Sequence, residues 1–496
     1  LRAISIIGVL IYHYELIIFD NKIFKGGFLG VDIFFVISGY LITKIIYEEI
    51  LDNKFSFKNF YEKRARRILP SLFFVIAITL IFSNFLLDWK AHLENINVSL
   101  ASIFFNSNHF FSIQDSYYAE PSRFKPLLHT WSLSVEEQFY LVFPALIYFF
   151  FKRKFLRILI TLAIFSFIFS IYGSYKFPDV NFYILISRIW EFAFGAAIVF
   201  YQNKIKLSEK IQNTLSNMSI FIILLCFILL DKSIKHPGLV TFIPILATNF
   251  IICFGTFNRT RIYNFIFNNK ISLFFGKISY TLYLVHFPII VFTRIHENVL
   301  GNSNYLKIAL ILICIFLSTL IYELYEKKFR KPNIVSTSQF FKIIISYIIF
   351  FLAIFIWAHY KKYSLNYINI NNIKFNINDE KSKRWQYLTK QCTKIGWDEC
   401  YKTQKNKTNI LVVGDSMAPD SANILNAIID LNKYYIITDT LGGCPPVQNI
   451  YLYVDSNFPN IFECHKKNKI RFEEKYYNNI EIVIINNNYN WLKASD

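Results

Sequence analysis

Charge is what this chain has least of for its size. Only 18% of its 496 residues are Asp, Glu, Lys or Arg, against 54% hydrophobic and 19% aromatic. So little polar surface excludes a water-soluble protein of this length. Acidic residues are the scarcer sign: 34 Asp and Glu face 53 Lys and Arg, a formal net charge of +19. That balance invites nucleic acid as a partner, but the distribution argues against it, because the basic residues cluster in short loops between apolar runs, where the positive-inside rule puts them. Paired CxxC spacing is absent, so zinc is a poor reading and no metal site is expected. The first residue is not Met, and an apolar helical pattern is already running there. The N-terminus therefore reads as that of a fragment, with no targeting signal to interpret.

What the chain has in quantity is apolar stretches of roughly 20 residues, the length that crosses a bilayer core. Eleven spans are expected, near 1–19, 28–46, 69–87, 133–151, 157–175, 182–201, 217–231, 238–256, 272–294, 305–326 and 340–359. With the first helix starting in the cytoplasm, the cytoplasmic loops hold 20 Lys and Arg and the opposite loops 8. That asymmetry predicts a cytoplasmic N-terminus and places everything after residue 360 outside. Within the loop 88–132 the weaker apolar piece Ser99 to Phe111, interrupted by Asn106, Asn108 and His109, reads as a re-entrant segment or a lid. After Lys361 an Asn- and Lys-rich linker leads to strand patterns at Asn409–Val413, Tyr434–Thr438 and Ile480–Ile485, with a helix over Ser421–Leu431. The order is βαβ. The fold class is thus a polytopic helical membrane bundle of about ten core helices plus one linking helix, followed by an α/β domain.

Several spans carry polar residues, which are functional candidates by default inside hydrocarbon. LRAISIIGVLIYHY holds Arg2 and His13, eleven positions apart, which returns His13 to within about 20° of the Arg2 face and about 16 Å further along. The plainer alternative makes Arg2 a flanking anchor and His13 a satisfied interhelical hydrogen bonder. GVDIFFVISGYLIT places Asp32 at a helix entrance and Ser38-Gly39-Tyr40 at a tight packing notch. In FYEKRARRILP, Arg64 and Arg67 share a helix face and could clamp phosphate, or could simply anchor the helix. LLHTWSLSVEEQFYLVFP spaces His129, Ser132, Glu136 and Tyr140 at i, i+3, i+7 and i+11, one polar stripe whose carboxylate calls for a partner such as an imidazole on a neighbouring helix. Arg188 and Glu191 could neutralise one another, and His286 lies in ISYTLYLVHFPI. Cys226, Cys253 and Cys314 read as small packing residues. Cys392, Cys400, Cys444 and Cys464 fall in the outside domain, where disulfides are expected; Cys392 with Cys400 and Cys444 with Cys464 is the favoured pairing of the three possible.

These segments, together with RIWEFAFGA, resemble in order the motifs of the acyltransferase 3 family of integral membrane acyltransferases over nearly all of residues 1–335. The resemblance implies a membrane domain at 1–335, a linking helix and linker at 336–407, and a partial domain at 408–496. It ties the Arg-x10-His pattern, here Arg2 and His13, to catalysis, and the Arg-x-x-Arg pattern, here Arg64 and Arg67, to the acyl-coenzyme A side. The family's acidic motif falls on Glu136 and Glu137, and Tyr140 and His286 join the expected binding residues. NILVVGDSM resembles block I of SGNH hydrolases, with Ser416 as nucleophile on a strand-to-helix turn. Gly442 or Gly443 and one of Asn486, Asn487 and Asn488 are loose oxyanion candidates. Met417 stands where a His is frequent, and the family's Asp-x-x-His is missing, which we attribute to truncation.

Taken together, the expected function is transfer of an acyl group, most simply acetyl from acetyl-coenzyme A, across a bacterial inner membrane to a hydroxyl of a cell-surface glycan such as O-antigen, lipooligosaccharide or another envelope polysaccharide. His13 would take the acyl group or act as base, Glu136 would orient its ring, and Ser416 would relay the group outside. The competing class is a transporter or flippase whose buried polar residues line a path without covalent chemistry.

Overall fold

The computed structural model describes residues 1–18, 21–114, 124–151, 153–202, 204–205, 207–255, 261–295, 303–365, 367–370, 373–376, 403–414, 421–422, 425–426, 428–440, 468–469 and 479–486. Two compact units divide the chain, Leu1–Ala358 and His359–Asp496.

The first unit is built from α1 (Arg2–Tyr14), α2 (Gly30–Leu51), α3 (Phe57–Leu86), α4 (Trp89–Ile103), α5 (Ser107–Ser112), α6 (Thr130–Phe149), α7 (Arg153–Lys176), α8 (Pro178–Tyr183), α9 (Ile189–Tyr201), α10 (Glu209–Leu229), α11 (Phe242–Gly255), α12 (Arg261–Phe267), α13 (Lys270–Ile295), α14 (Asn304–Ile321) and α15 (Thr337–Leu365) as far as Ala358. A two-residue antiparallel ribbon, β1 (Ile17–Ile18) with β2 (Asn21–Lys22), follows α1. Side-chain caps start the helices that leave polar loops: Ser56 accepts from the Asn59 N–H, and Asp88 from those of Lys90 and Ala91.

Among the described residues seven helices are long and apolar enough to cross a membrane: α2, α3, α7, α10, α13, α15, and α14 with its continuation to Phe329. Eleven spans were expected. The other four are α1, α6, α9 and α11. At 13 residues each, α1 and α9 reach about 20 Å, short of a hydrocarbon core of about 30 Å. Helix α11 has 14 residues, and α6, though 20 residues long, is diluted by its polar stripe. Such helices need neighbours to cover their ends, and the bundle supplies them. Helix α2 is central, with 72% of its most apolar stretch buried, against 11% in α14 and 17% in α15, whose apolar faces are left for lipid.

Close approach of α2 and α9 depends on two glycines. A Cβ on Gly39 would lie 2.0 Å from the Phe192 carbonyl oxygen, and one on Gly195 2.0 Å from that of Val36. Small residues that let backbones touch are how membrane helices gain dispersion contacts. The packing notch read at Ser38-Gly39 is this crossing.

The polar interruption in 99–111 is the break between α4 and α5. Its side chains are met by α6: Ser107 Oγ lies 2.8 Å from Ser134 Oγ, and Gln138 Nε2 donates to Asn108 Oδ1 at 2.8 Å. Cys226, Cys253 and Cys314 are buried free thiols, Cys314 meeting the Tyr14 hydroxyl at 2.9 Å.

The second unit holds a hairpin, β3 (Tyr367–Ile370) with β4 (Ile373–Asn376), inside the segment read as linker. Its sheet has β5 (Thr408–Gly414) between β6 (Tyr434–Thr440) and β7 (Ile482–Asn486), all parallel. The run Asn409–Gly414 in β5 is buried throughout, the pattern of a strand covered on both faces. Each strand lies within two residues of its expected position, and residues 421–422, 425–426 and 428 are helical between the first two. Ser416, Gly442, Gly443, Asn487, Asn488, Cys392, Cys400, Cys444 and Cys464 lie outside the described residues.

Candidate active site

Helix α1 ends against cations. The His13 carbonyl accepts from Arg294 at 2.6 Å, and the Glu15 carbonyl from Lys307 at 3.1 Å, so the last carbonyls, which have no helical partner, meet positive charge. Glu15 itself adopts the left-handed conformation, φ 49°, that stops the helix. Sequence reading missed Arg294; a cation near the end of an apolar helix looks like any anchor until the chain it clamps is known.

This termination sets His13 among aromatic rings from α13 and the start of α6. His13 Nδ1 is 3.2 Å from His286 Nε2, and the ring packs edge-on to Phe287 with centroids 5.0 Å apart. His286 Nδ1 donates to the Tyr283 carbonyl one turn back, at 2.7 Å. His129 stands 5.7 Å from His286 and 5.4 Å from Phe287 by ring centroids. Neither of its ring nitrogens makes a hydrogen bond. Beside it lies the Leu284 carbonyl, which Pro288, having no N–H, leaves without its helical donor. The Tyr283 hydroxyl meets Ser132 Oγ at 2.6 Å and the His129 carbonyl at 3.1 Å. Three histidines from distant parts of the chain thus share one aromatic cluster.

Among the described residues, three cavities with shared wall residues lie along α1. The first, about 540 Å³, is walled by Arg2, Arg67, Lys277 and Arg330, with no carboxylate among its described lining residues, though Arg330 is paired with Glu326. The last, about 630 Å³, is walled by His13, His129, Tyr283, Phe287 and Arg294, with Asp32, Arg188 and His236 across from them. Between them lies a chamber of about 60 Å³. It shares Arg2, Arg67, Ser279 and Tyr280 with the first cavity and Val31 and Tyr283 with the last. Arg2 and His13, one face of one helix, therefore open into opposite ends of this series.

The polar stripe of α6 divides between the ends. His129 and Ser132 join the histidine cluster, whereas Glu136 accepts from Ser38 Oγ and from the Tyr140 hydroxyl and lines the chamber. The expected pairing of Glu136 with His13 is not made: the partner of His13 is His286. Helix rise explains it, since Glu136 sits seven residues, about 10 Å, along α6 from His129. Arg67 faces the first cavity and the chamber, while Arg64 lies over the Tyr140 ring at 5.2 Å. Both sit within electrostatic reach of Glu137. Arg66, which the sequence reading passed over, is buried and binds Glu62, the Phe329 and Val335 carbonyls and Thr337. Arg188 does pair with Glu191, at 3.0 Å, but also with Asp32 at 2.7 Å, and His236 reaches Asp32 at 3.0 Å. Among the described residues no group of three or more His, Cys, Asp and Glu could hold a metal ion.

The family model described as the acyltransferase domain matches residues 1–324. O-acetyltransferase OatA of Staphylococcus aureus, in strains NCTC 8325 / PS 47 and COL, is 32% identical over 350 residues, 67% of this chain and 56% of that protein. A further protein of strain COL, SACOL0978, is 32% identical over 358 residues, 67% of this chain and 57% of its own. The chain spans somewhat over half the length of these relatives. No solved structure matches it. With the motifs in order along a bundle of membrane-length helices, this chain belongs to the acyltransferase 3 family.

Proposed function

We propose that this protein is a membrane O-acyltransferase, moving an acyl group, most simply acetyl, from acyl-coenzyme A to a hydroxyl of a cell-surface glycan on the far side of the membrane. The observation that carries the reading is the row of cavities with shared walls: a space lined by Arg2, Arg67, Lys277 and Arg330 at one end, a narrow chamber, and an imidazole at the far end. Guanidinium and ammonium groups suit the phosphates of coenzyme A, and of the four cations here Arg330 is already paired with Glu326. At about 60 Å³ the chamber is too small for a nucleotide. Beyond it, in the last cavity, a threaded thioester would meet the His13 imidazole. The names of the staphylococcal relatives support acetyl as the group and oxygen as its acceptor.

In the reaction, His13 attacks the thioester carbonyl and the C–S bond breaks. Coenzyme A leaves as the thiol, taking the proton that the imidazole gives up. The acceptor hydroxyl then attacks the acyl carbon, the C–N bond breaks, and the hydroxyl proton returns to His13. The excess of Lys and Arg in alternate loops supports a cytoplasmic N-terminus with the second unit outside the cell's inner membrane. Ser416, two residues past β5, would take the group from the membrane unit and pass it to the sugar. Purified full chain incubated with acetyl-coenzyme A labelled in its acetyl group should release free coenzyme A and label envelope polysaccharide. A carrier without covalent chemistry releases none, and that result would refute the reading.

A further inference from the structure

The histidine pair at the end of α1 has a direction. A carbonyl oxygen only accepts, so the 2.7 Å contact between His286 Nδ1 and the Tyr283 carbonyl is made by an Nδ1–H that donates. In the neutral ring this leaves His286 Nε2 as an acceptor. The group facing that lone pair, at 3.2 Å, is His13 Nδ1. Two lone pairs cannot share one hydrogen bond, so the hydrogen sits on His13 Nδ1, and His13 Nε2 is left bare. Among the described residues no carboxylate bonds to either ring, and so no anion calls for a second proton on them.

We propose that His286 is a positioning residue for the acyl-transfer reaction: through His13 it selects the Nδ1–H tautomer and keeps the Nε2 lone pair available to the acyl carbon. This rests on the function proposed above. The arrangement reproduces, with a backbone carbonyl and an imidazole, what a carboxylate does for the base in hydrolase triads, where the wrong tautomer is nearly inactive although the geometry survives. Tyr283 thereby serves through its main chain, and its hydroxyl, held by Ser132, keeps that turn of α13 in place.

His286→Leu and His286→Gln separate this role from simple packing. Leucine fills space without an acceptor, whereas the glutamine oxygen can take the place of Nε2. His286→Leu is expected to lose about 100-fold or more in kcat with little change in KM for acetyl-coenzyme A, and His286→Gln to recover at least about 10-fold of that loss. A second reading needs no turnover. In nitrogen-15 histidine spectra of the wild-type full chain, a signal that disappears in His13→Ala should report a protonated Nδ1 and a bare Nε2, and in His286→Leu the preference should vanish. Equal rates for the two His286 variants, or a bare Nδ1 on His13 in the wild type, overturn the inference. Should His13→Ala remain fully active while the spectra show the expected tautomer, His286 still sets the proton on His13, but the proposed function of His13, and with it a positioning role in the reaction, falls.

Discussion

Arg66 and Arg67 are neighbours in sequence with different employment. The Arg66 guanidinium is buried against Glu62, Thr337 and two carbonyls near the start of α15 and lies 4.8 Å over the Phe340 ring. Arg67, one position on and 100° around α3, lines the cation-walled cavity and the chamber. Adjacent positive charges thus divide between holding the bundle together and facing its interior space.

Arg66→Ala should destabilise the protein without altering its chemistry. The Phe329 and Val335 carbonyls would lose their donor, at about 1–3 kcal/mol for a buried group left unsatisfied, whereas Glu62, partly exposed, can turn to water. The thermal midpoint in detergent is expected to fall clearly, while the molecules that fold keep the parent KM for acetyl-coenzyme A.

Arg67→Ala should show the reverse. Loss of a charge-assisted hydrogen bond of about 1.5–3 kcal/mol to phosphate predicts a KM for the donor raised about 10- to 100-fold, with kcat less affected and the thermal midpoint near that of the parent. Arg64→Ala is expected to raise KM less, because its guanidinium stacks on Tyr140 and is absent from the cavity wall. Steady-state kinetics on the two variants side by side checks the order.

Gly39→Ala should fail to accumulate as folded protein. Its new methyl would stand 2.0 Å from a main-chain oxygen on α9, which cannot rotate away as a side chain would, so the cost meets or exceeds the roughly 1–3 kcal/mol of ordinary overpacking. Gly276→Ala is the control, since a Cβ there has nothing within 4 Å. Size-exclusion profiles of the two variants expressed in parallel decide it.

His13→Ala and Ser416→Ala should stop the reaction at different points. The first is expected to abolish release of coenzyme A. The second should leave that release in place, at least for one turnover, while acetylation of the polysaccharide is lost. Mass spectrometry of the glycan, paired with a thiol assay, separates the two steps.

Local patterns in the sequence were enough to find the elements. Alternation and apolar runs placed the three strands of the second unit, because a strand buried on both faces must read as a continuous apolar run. The interval between Arg2 and His13 needed only helix geometry. Partnership was not legible, since nothing local says which of several imidazoles and carboxylates will meet: His13 took His286, 273 residues away, and Glu136 took Ser38, 98 residues away. The polar stripe of α6 was read as a single feature because angular position ignores height, and over seven residues height, about 10 Å, puts His129 at the last cavity and Glu136 at the chamber. The gap between eleven expected spans and seven membrane-length helices has a related reason. Apolar runs at α1, α9 and α11 record burial among other helices as faithfully as they record lipid.

A membrane that holds an ion gradient loses it through any open bore. The 60 Å³ narrowing between the two wider cavities bears on that loss, for among its described lining residues two guanidinium groups, Arg2 and Arg67, outnumber one carboxylate, Glu136, and leave its walls net positive. Protons and sodium ions are repelled by such a lining, so the same groups that would welcome a phosphorylated carrier also act as electrical insulation.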